Sequence, residues 1–455
     1  MQVRLALRRR RFTARRKPRA YQPDGPLTRA FAGRLPFTLT PSQQAALRDI
    51  LRDLERPEPM LRLLQGDVGC GKTVVAAWAM CAAVQSGYQV AVMAPTELLA
   101  EQHARVLQRY LAPLGPSVRL LSQVTGAQDR RRIVAEAADG SAAIVVGTHA
   151  LLEPDVVFAE LGLIVIDEQH KFGVGQRTTL LAKTAAPDVL VMSATPIPRT
   201  LALALYGDLA SSTITELPPG RRPVTTQWRP EAERADVYAL LRREIQAGRQ
   251  AYIVYPLVEA KAQHDRKAAT QMAKHLAAEV FPEARVELLH GQMKPQAKER
   301  IMRAFAEGRV QILVSTVIVE VGLDVPNATV MVIEHPDRFG LAQLHQLRGR
   351  IGRGPHPAAC IVITGEADEQ VQARLTAFVR TSDGFRLAEQ DLQLRGPGEL
   401  LGRQQHGWLR FRVADLLQDR ELLDLARQDA LDMLEQDPAL ASAAFAPLRQ
   451  RLARR

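Results

Sequence analysis

Short, nearly continuous aliphatic runs recur along the chain, separated by longer stretches in which apolar residues return every three or four positions. Runs at 90–94, 143–146, 163–166 and 189–192 predict strands buried on both faces of a parallel sheet, since a half-exposed strand would alternate instead. A second series follows at 251–255, 286–289, 312–314, 330–333 and 359–363, again with helical spacing between the runs. Between the two series, Pro218, Pro219, Gly220 and Pro223 interrupt both periodicities and predict a linker. Beyond about Gly365 the strand signals stop. Residues 373–380 and 420–435 carry helical spacing, with a tight turn at Arg395-Gly396-Pro397-Gly398 between them.

One strand–helix junction carries chemistry. The apolar run at 60–65 (MLRLLQ) is followed by GDVGCGKT at 66–73 and then by the helix former VVAAWAMCAAV at 74–84. The eight central residues fit the phosphate-binding loop G-x-x-x-x-G-K-[ST] in the strand–loop–helix context that this motif needs. Gly66, Asp67, Val68, Gly69, Cys70 and Gly71 predict a curl whose backbone N–H groups face phosphate oxygens. Lys72 brings a charge to the β- and γ-phosphates, and the Thr73 hydroxyl is a candidate Mg²⁺ ligand. A chance glycine-rich turn explains none of the flanking pattern.

Composition then bounds the partners. With 455 residues, 46% hydrophobic and 24% charged, the chain is of ordinary globular composition and long enough for two or three domains. No apolar run reaches the roughly 18 residues that a membrane span requires, so no membrane partner is expected. The three cysteines are widely spaced, with no C-x-x-C pair, and read as reduced thiols of a cytoplasmic protein. A net charge of +11 points to an anionic polymer, with nucleic acid the leading candidate. The first acidic residue is Asp24, and the Arg-rich start is read as a flexible or helical basic arm, or as a solvated helix face.

Two further groups complete a nucleotide site. Asp167 and Glu168 end the strand at 163–166, where open α/β sheets place their ligands; Asp167 is the candidate metal ligand and Glu168 the candidate activator of water. In QLRGRIGR at 346–353, Gly349 and Gly352 permit close approach, and Arg350 and Arg353 direct cations at one locus. The alternatives are an acidic pair solvating a strand end and an exposed basic turn. Because Lys72 lies in the first unit and these arginines in the second, one ATP touching both must bridge the units, and hydrolysis must loosen them.

The ordered segments FTLTPSQ (37–43), the phosphate loop, APTELLAEQH (94–103), GTHALL (147–152), DEQHKFGVGQR (167–177), SATPIPRT (193–200), LLHGQMKP (288–295), EVGLDVPNA (320–328) and QLRGRIGRG (346–354) resemble those of superfamily 2 helicases. DEQH, PIPRTLALALYGDL at 196–209 and, most specifically, DGFRLAEQDLQLRGPGELLGRQQ at 383–405 resemble the RecG branch-migration helicases and their translocation (TRG) motif. The resemblance implies an α/β fold of two tandem RecA-like P-loop domains with a small helical TRG region. The organisation expected is a basic arm and linker-helix remnant at 1–36, an ATP-binding domain at 37–219, a second RecA-like domain at 220–365 and the TRG region with C-terminal helices at 366–455.

The resemblance also assigns roles. Gln43 reads the adenine edge, Asp324 contacts nucleotide, and Gln346, Arg350 and Arg353 join Lys72, Asp167 and Glu168 in catalysis, with ATP and Mg²⁺ as cofactors. His170, Ser193 and Thr195 couple nucleotide state to DNA grip. Thr96, Thr148, His290, Thr316, Arg395, Arg403 and Gln404 face DNA. Cys70 stands where RecG proteins usually have Ser, and its place in the loop raises the idea of oxidation sensitivity. The function implied is an ATP-dependent duplex-DNA translocase acting on forks and Holliday junctions in recombination and repair. The expected chain is monomeric, cytoplasmic and nucleoid-associated, with a single-stranded DNA-binding protein as a further partner. The start MQVRLALRRRR resembles the end of the helix that follows the wedge domain of RecG proteins. A motor without a wedge, with ATPase but little fork remodelling, and a transcription-repair coupling translocase are the competing readings.

Overall fold

In the computed structural model, residues 2–123, 125–168, 172, 174–194, 209–218, 223–256, 262–316, 325–365, 367–395 and 419–453 are described. Of the expected site residues, His170, Thr195, Asp324, Arg403 and Gln404 lie outside them, as do the side chain of Arg395 and the turn that follows it.

The first lobe is built on β1 (Leu61–Gly66), β2 (Gln89–Met93), β3 (Val118–Leu121), β4 (Ile144–Gly147), β5 (Leu161–Asp167), β6 (Asp188–Ser193) and β7 (Ala210–Ile214). These strands pair in the order β3-β4-β2-β5-β6-β1-β7, every pair parallel. The second lobe has β8 (Thr225–Pro230), β9 (Gln250–Tyr255), β10 (Val286–Leu289), β11 (Ile312–Thr316), β12 (Ala328–Glu334) and β13 (Ala359–Thr364). Their order is β10-β11-β9-β12-β13-β8, again all parallel. Parallel pairing needs long crossovers, and helices packed on both faces bury the strands, which is why β2, β6, β11 and β12 are buried at every position.

Each predicted strand is present, and three more appear: β3 (VRLL), β7 (ASSTI) and β8 (TTQWRP). All three sit at sheet edges. An edge strand has one unpaired side facing water or a loop, so β7 and β8 tolerate serines, threonines and a terminal proline in place of an aliphatic run. The helix read from 74–84 begins two residues earlier, at Lys72, and spans Lys72–Gln85. Gly71 makes this start possible: its φ of +89 turns the loop into the helix, a conformation that a side chain disfavours.

The N-terminal arm is packed rather than solvated or flexible. Helix Gln2–Thr13 lies against helix Arg420–Gln436, with Ala6, Ala430, Leu434 and Leu440 forming a small separate core. Arg10 donates to the Leu434 carbonyl. Further on, the Lys17 ammonium lies 2.9 Å from Asp188 in a pair whose side chains are each 1% exposed. Lys17 also donates to the Asp53 and Leu54 carbonyls at 3.1 and 3.0 Å. These bonds satisfy a charge that would otherwise be costly to bury. Burial still dominates the pair: it pushes the Asp188 carboxyl up to about 6 and pulls the Lys17 ammonium down.

Helices Glu369–Arg380 and Gly384–Arg395 extend the second lobe. Leu375, Phe378 and Leu387 enter its main core, and Asp391 accepts a hydrogen bond from the Leu341 N–H at 2.9 Å. The TRG-like segment thereby begins against helix Leu341–Arg348, which follows β12 in the chain.

Candidate functional site

Strand register brings the first set of chemical groups to one height. Asp167 pairs with Met192, Gln65 with Ser193, and Gly66 with Ile214, so the phosphate loop, the acidic pair and Ser193 leave the carboxyl ends of β1, β5 and β6 together. Thr96 follows β2 and Thr148 follows β4 on the same edge.

Within the loop, Lys72 Nζ donates to the carbonyls of Gly66 and Asp67 at 2.8 and 2.9 Å, which holds the loop curled. Gln43 is 1% exposed and braces it: its Nε2 donates to the Cys70 carbonyl at 2.7 Å, and its Oε1 accepts from the Thr40 N–H at 2.9 Å. That capping-box geometry arises from the Thr40–Gln43 spacing at the start of helix Pro41–Glu55. Cys70 is buried, and burial raises its thiol pKa, both of which weigh against the oxidation-sensitive thiol considered from sequence.

Asp167 accepts from, or shares a proton with, His103 Nε2 at 2.8 Å. Burial pushes the Asp167 carboxyl up, but the His103 hydrogen bond and charge and the Lys72 charge outweigh it and hold the group below the usual carboxylate range. Glu168 adopts a left-handed φ of +51, held by its N–H donating to the Met192 carbonyl at 3.0 Å. A strained non-glycine residue retained at the end of a central strand is a recurrent feature of functional sites.

The second lobe meets this loop directly. His345 Nε2 lies 2.5 Å from Asp67 Oδ1, and the Val68 N–H donates to the same oxygen at 2.6 Å. Arg348 Nη2 donates to His345 Nδ1 at 2.9 Å, which leaves Nε2–H as the donor to Asp67. Burial works to raise the Asp67 carboxyl, but the His345 hydrogen bond, the Val68 N–H and the Lys72 charge bring it below its ordinary value. Gly349 packs so closely on the loop that a Cβ there would lie 2.9 Å from Val68 Cβ. Arg350, 7% exposed, and Arg353, whose Nε donates to the Gly349 carbonyl at 3.1 Å, leave the same helix end, and Gln346 lies one turn earlier. Arg348 is the structural arginine of this motif: it is buried, stacks 4.6 Å from the Phe378 ring and donates to the Phe378 carbonyl at 3.0 Å.

The candidate DNA-facing residues are placed unequally. Thr96 is half-buried and caps helix Glu97–Leu111. Thr148 is 2% exposed and donates to Glu97 at 2.8 Å, so its hydroxyl is already committed within the lobe. In the second lobe, His290 follows β10, and Thr316 ends β11 with a buried hydroxyl that has no hydrogen-bond partner among the described residues.

Comparison with known proteins accords with this geometry. Residues 40–204 match the DEAD/DEAH box helicase family model and residues 234–355 the helicase conserved C-terminal domain. Residues 381–454 match the C-terminal part of domain 3 of the ATP-dependent DNA helicase RecG. The chain is similar to RecG helicases over most of its length. It is 51% identical over 420 residues to the ATP-dependent DNA helicase RecG of Synechocystis sp., covering 92% of this chain and 50% of that protein. It is 45% identical over 422 residues to RecG of Bacillus subtilis, covering 93% and 62% respectively. A solved RecG bound to a three-way DNA junction superposes with a TM-score of 0.80 at 44% identity, over 93% of this chain and 55% of that one. The chain therefore spans 50–62% of the length of these two RecG relatives.

Sequence reasoning missed His103 and His345. His103 had a signal: it interrupts the apolar stripe Leu99, Ala100, Ala104 and Leu107 of an otherwise regular helix face. His345 had none, because its partner Asp67 is 278 residues away.

Proposed function

We propose that the chain is the motor of a RecG-type helicase, hydrolysing ATP between its two lobes and using the closure to move along duplex DNA at branched junctions. The observation that carries this reading is the direct seating of the Gly349–Arg353 turn and His345 on the phosphate loop. An ATP on that loop lies at the seam, so its bound state bears on both lobes.

The residues divide the work. Lys72 turns from the loop carbonyls to the β- and γ-phosphates, and the backbone N–H groups of 66–73 receive phosphate oxygens. Gln43 retains one N–H and one lone pair after its two bonds to the loop and cap, enough for the two-point adenine edge. Asp324 adds a nucleotide contact from the second lobe. The ionised Asp167 carboxylate and the Thr73 hydroxyl are hard-oxygen donors that would hold Mg²⁺. When bound, Mg²⁺ neutralises charge on the phosphate oxygens. Glu168 orients the attacking water and takes its proton. Arg350 and Arg353, supported by Gln346, bring positive charge to the transferring phosphoryl group, a contribution of roughly 10³–10⁵ in rate where it has been dissected.

His170, Ser193 and Thr195 pass nucleotide state to the DNA-facing segments at Thr96, Thr148, His290 and Thr316, and Arg395, Arg403 and Gln404 hold the duplex. The same reading expects a monomer, with a single-stranded DNA-binding protein as an accessory partner. Phosphate release with Mg·ATP, with and without duplex or three-way-junction DNA, tests it. Turnover should rise with DNA and vanish in Glu168→Gln while ATP binding persists. Turnover indifferent to DNA contradicts the translocase reading.

A further inference from the structure

Helix Glu97–Leu111 touches every part that such a motor must coordinate. At its start, Thr96 caps it by accepting from the Leu99 N–H at 3.4 Å. Glu97 Oε1 accepts from Thr148 Oγ1 at 2.8 Å and from the Gln123 N–H at 3.4 Å, and Gln123 in turn contacts His149 at 2.6 Å. The loops that follow β2, β3 and β4 are therefore tied to the first turn of one helix. Leu98 packs against the core of the second lobe, and Glu101, one turn on and on the same face, accepts from Arg303 of that lobe at 3.1 Å. Two turns from the start, His103 Nε2 reaches Asp167 Oδ2 at 2.8 Å.

His103 stands out chemically. It is 9% exposed and sits in the stripe of Leu99, Ala100, Ala104, Leu107 and Leu111, all buried against the sheet. An imidazole in an apolar stripe is costly unless its polar atoms are satisfied, and a leucine or alanine would pack there at no such cost. Its Nε2 meets the carboxylate assigned to the metal in the proposed function, that of Asp167. Between Thr96 and His103 the helix rises about 10 Å, as a hydrogen-bonded rod that transmits a displacement instead of absorbing it.

We propose that His103 is a positioning residue that links the nucleotide site to the DNA-facing loops: it fixes Asp167 to helix Glu97–Leu111, so that a shift of the carboxylate on nucleotide binding moves Thr96, Glu97 and the Thr148 loop together. This rests on the reading of the chain as a DNA-stimulated ATPase. The link acts through orientation, with the Nε2–H donor as its working part. Coupling of this kind is reciprocal: nucleotide changes DNA affinity by the same factor by which DNA changes nucleotide affinity.

The test measures binding without turnover. Fluorescence anisotropy gives the affinity of the full chain for a labelled three-way junction, with and without the non-hydrolysable analogue AMP-PNP and Mg²⁺. The wild-type ratio of the two affinities is compared with that of His103→Leu, which fits the apolar stripe but offers no donor, and of His103→Gln, which returns an N–H donor. The expected result is a wild-type ratio in the range of about 5–150-fold typical of such coupling, a ratio near one for His103→Leu with AMP-PNP affinity little changed, and substantial recovery in His103→Gln. A wild-type ratio retained by His103→Leu overturns the proposal, since a merely structural histidine leaves the ratio intact. So does a glutamine variant that behaves like the leucine one while both remain folded. A wild-type ratio of one, with no DNA stimulation of phosphate release, instead removes the translocase reading and this link with it.

Discussion

Gly349→Ala isolates the contact between the lobes from all chemistry. Gly349 has φ of −66 and ψ of −9, ordinary helical values, so alanine fits the local backbone without strain. The nearest obstacle lies across the seam: the new methyl would sit 2.9 Å from Val68 Cβ and 3.1 Å from its Cγ2. Carbon atoms in favourable contact lie about 3.5–4.0 Å apart, so the turn must back away from the phosphate loop by somewhat under about 1 Å. Val68 Cβ is attached directly to the loop backbone and cannot swing aside as a side-chain tip does. Overpacking of one methyl in a close interior contact costs about 1–3 kcal/mol, and here that cost falls only on the closed arrangement. At 1.4 kcal/mol per factor of ten, the closed population drops roughly 5- to 150-fold. The same retreat draws Arg350 and Arg353 from the nucleotide. Steady-state phosphate release at saturating DNA should fall by that factor, while nucleotide binding, made largely by the first lobe, changes little. DNA-stimulated turnover within twofold of the unaltered chain would refute the reasoning, since the lobes would then not need to approach as closely as they do here.

Other outcomes follow from the buried charges and thiols. Lys17→Met strands the Asp188 carboxylate and should destabilise the first lobe by about 3–5 kcal/mol in urea denaturation, whereas Lys17→Met combined with Asp188→Leu should recover most of that loss. Because burial raises Asp188 to about 6 in the fold, above its ordinary value, the folded state holds that proton more tightly than the unfolded chain. Its contribution is complete below the ordinary carboxylate range and is lost as pH rises through about 6. Stability measured from pH 7.5 down to pH 5 should show this gain, and Asp188→Asn should remove it. All three cysteines are buried, with thiol pKa values raised by that burial, so a thiol reagent should label the native chain slowly and leave its ATP turnover intact.

The sequence is most informative where physics is local. Buried parallel strands such as β5 and β12 announce themselves as aliphatic runs because both faces are covered, and the phosphate loop is legible because its chemistry is contiguous. Edge strands β7 and β8 escape detection because serines, threonines and a terminal proline replace the aliphatic run, whereas the edge strand β10 keeps enough of one to be read. The N-terminal arm misleads for a related reason. Its Arg and Lys content reads as solvated, yet Lys17 is buried by a carboxylate 171 positions later in the chain, at Asp188, and no local pattern encodes that pairing. His345 and Asp67 make the same point at the site itself. Their meeting depends on two lobes coming together, which periodicity within either lobe does not describe.

The central claim is that one ATP is hydrolysed by groups from both lobes. The most direct measurement is phosphate release by Arg353→Ala, with and without duplex DNA, beside nucleotide binding by the same variant. The account predicts near-unaltered ATP binding and a loss of DNA-stimulated turnover of about 10³-fold or more, the scale of an arginine finger. Turnover close to that of the unaltered chain would place all the catalytic groups in the first lobe and contradict it.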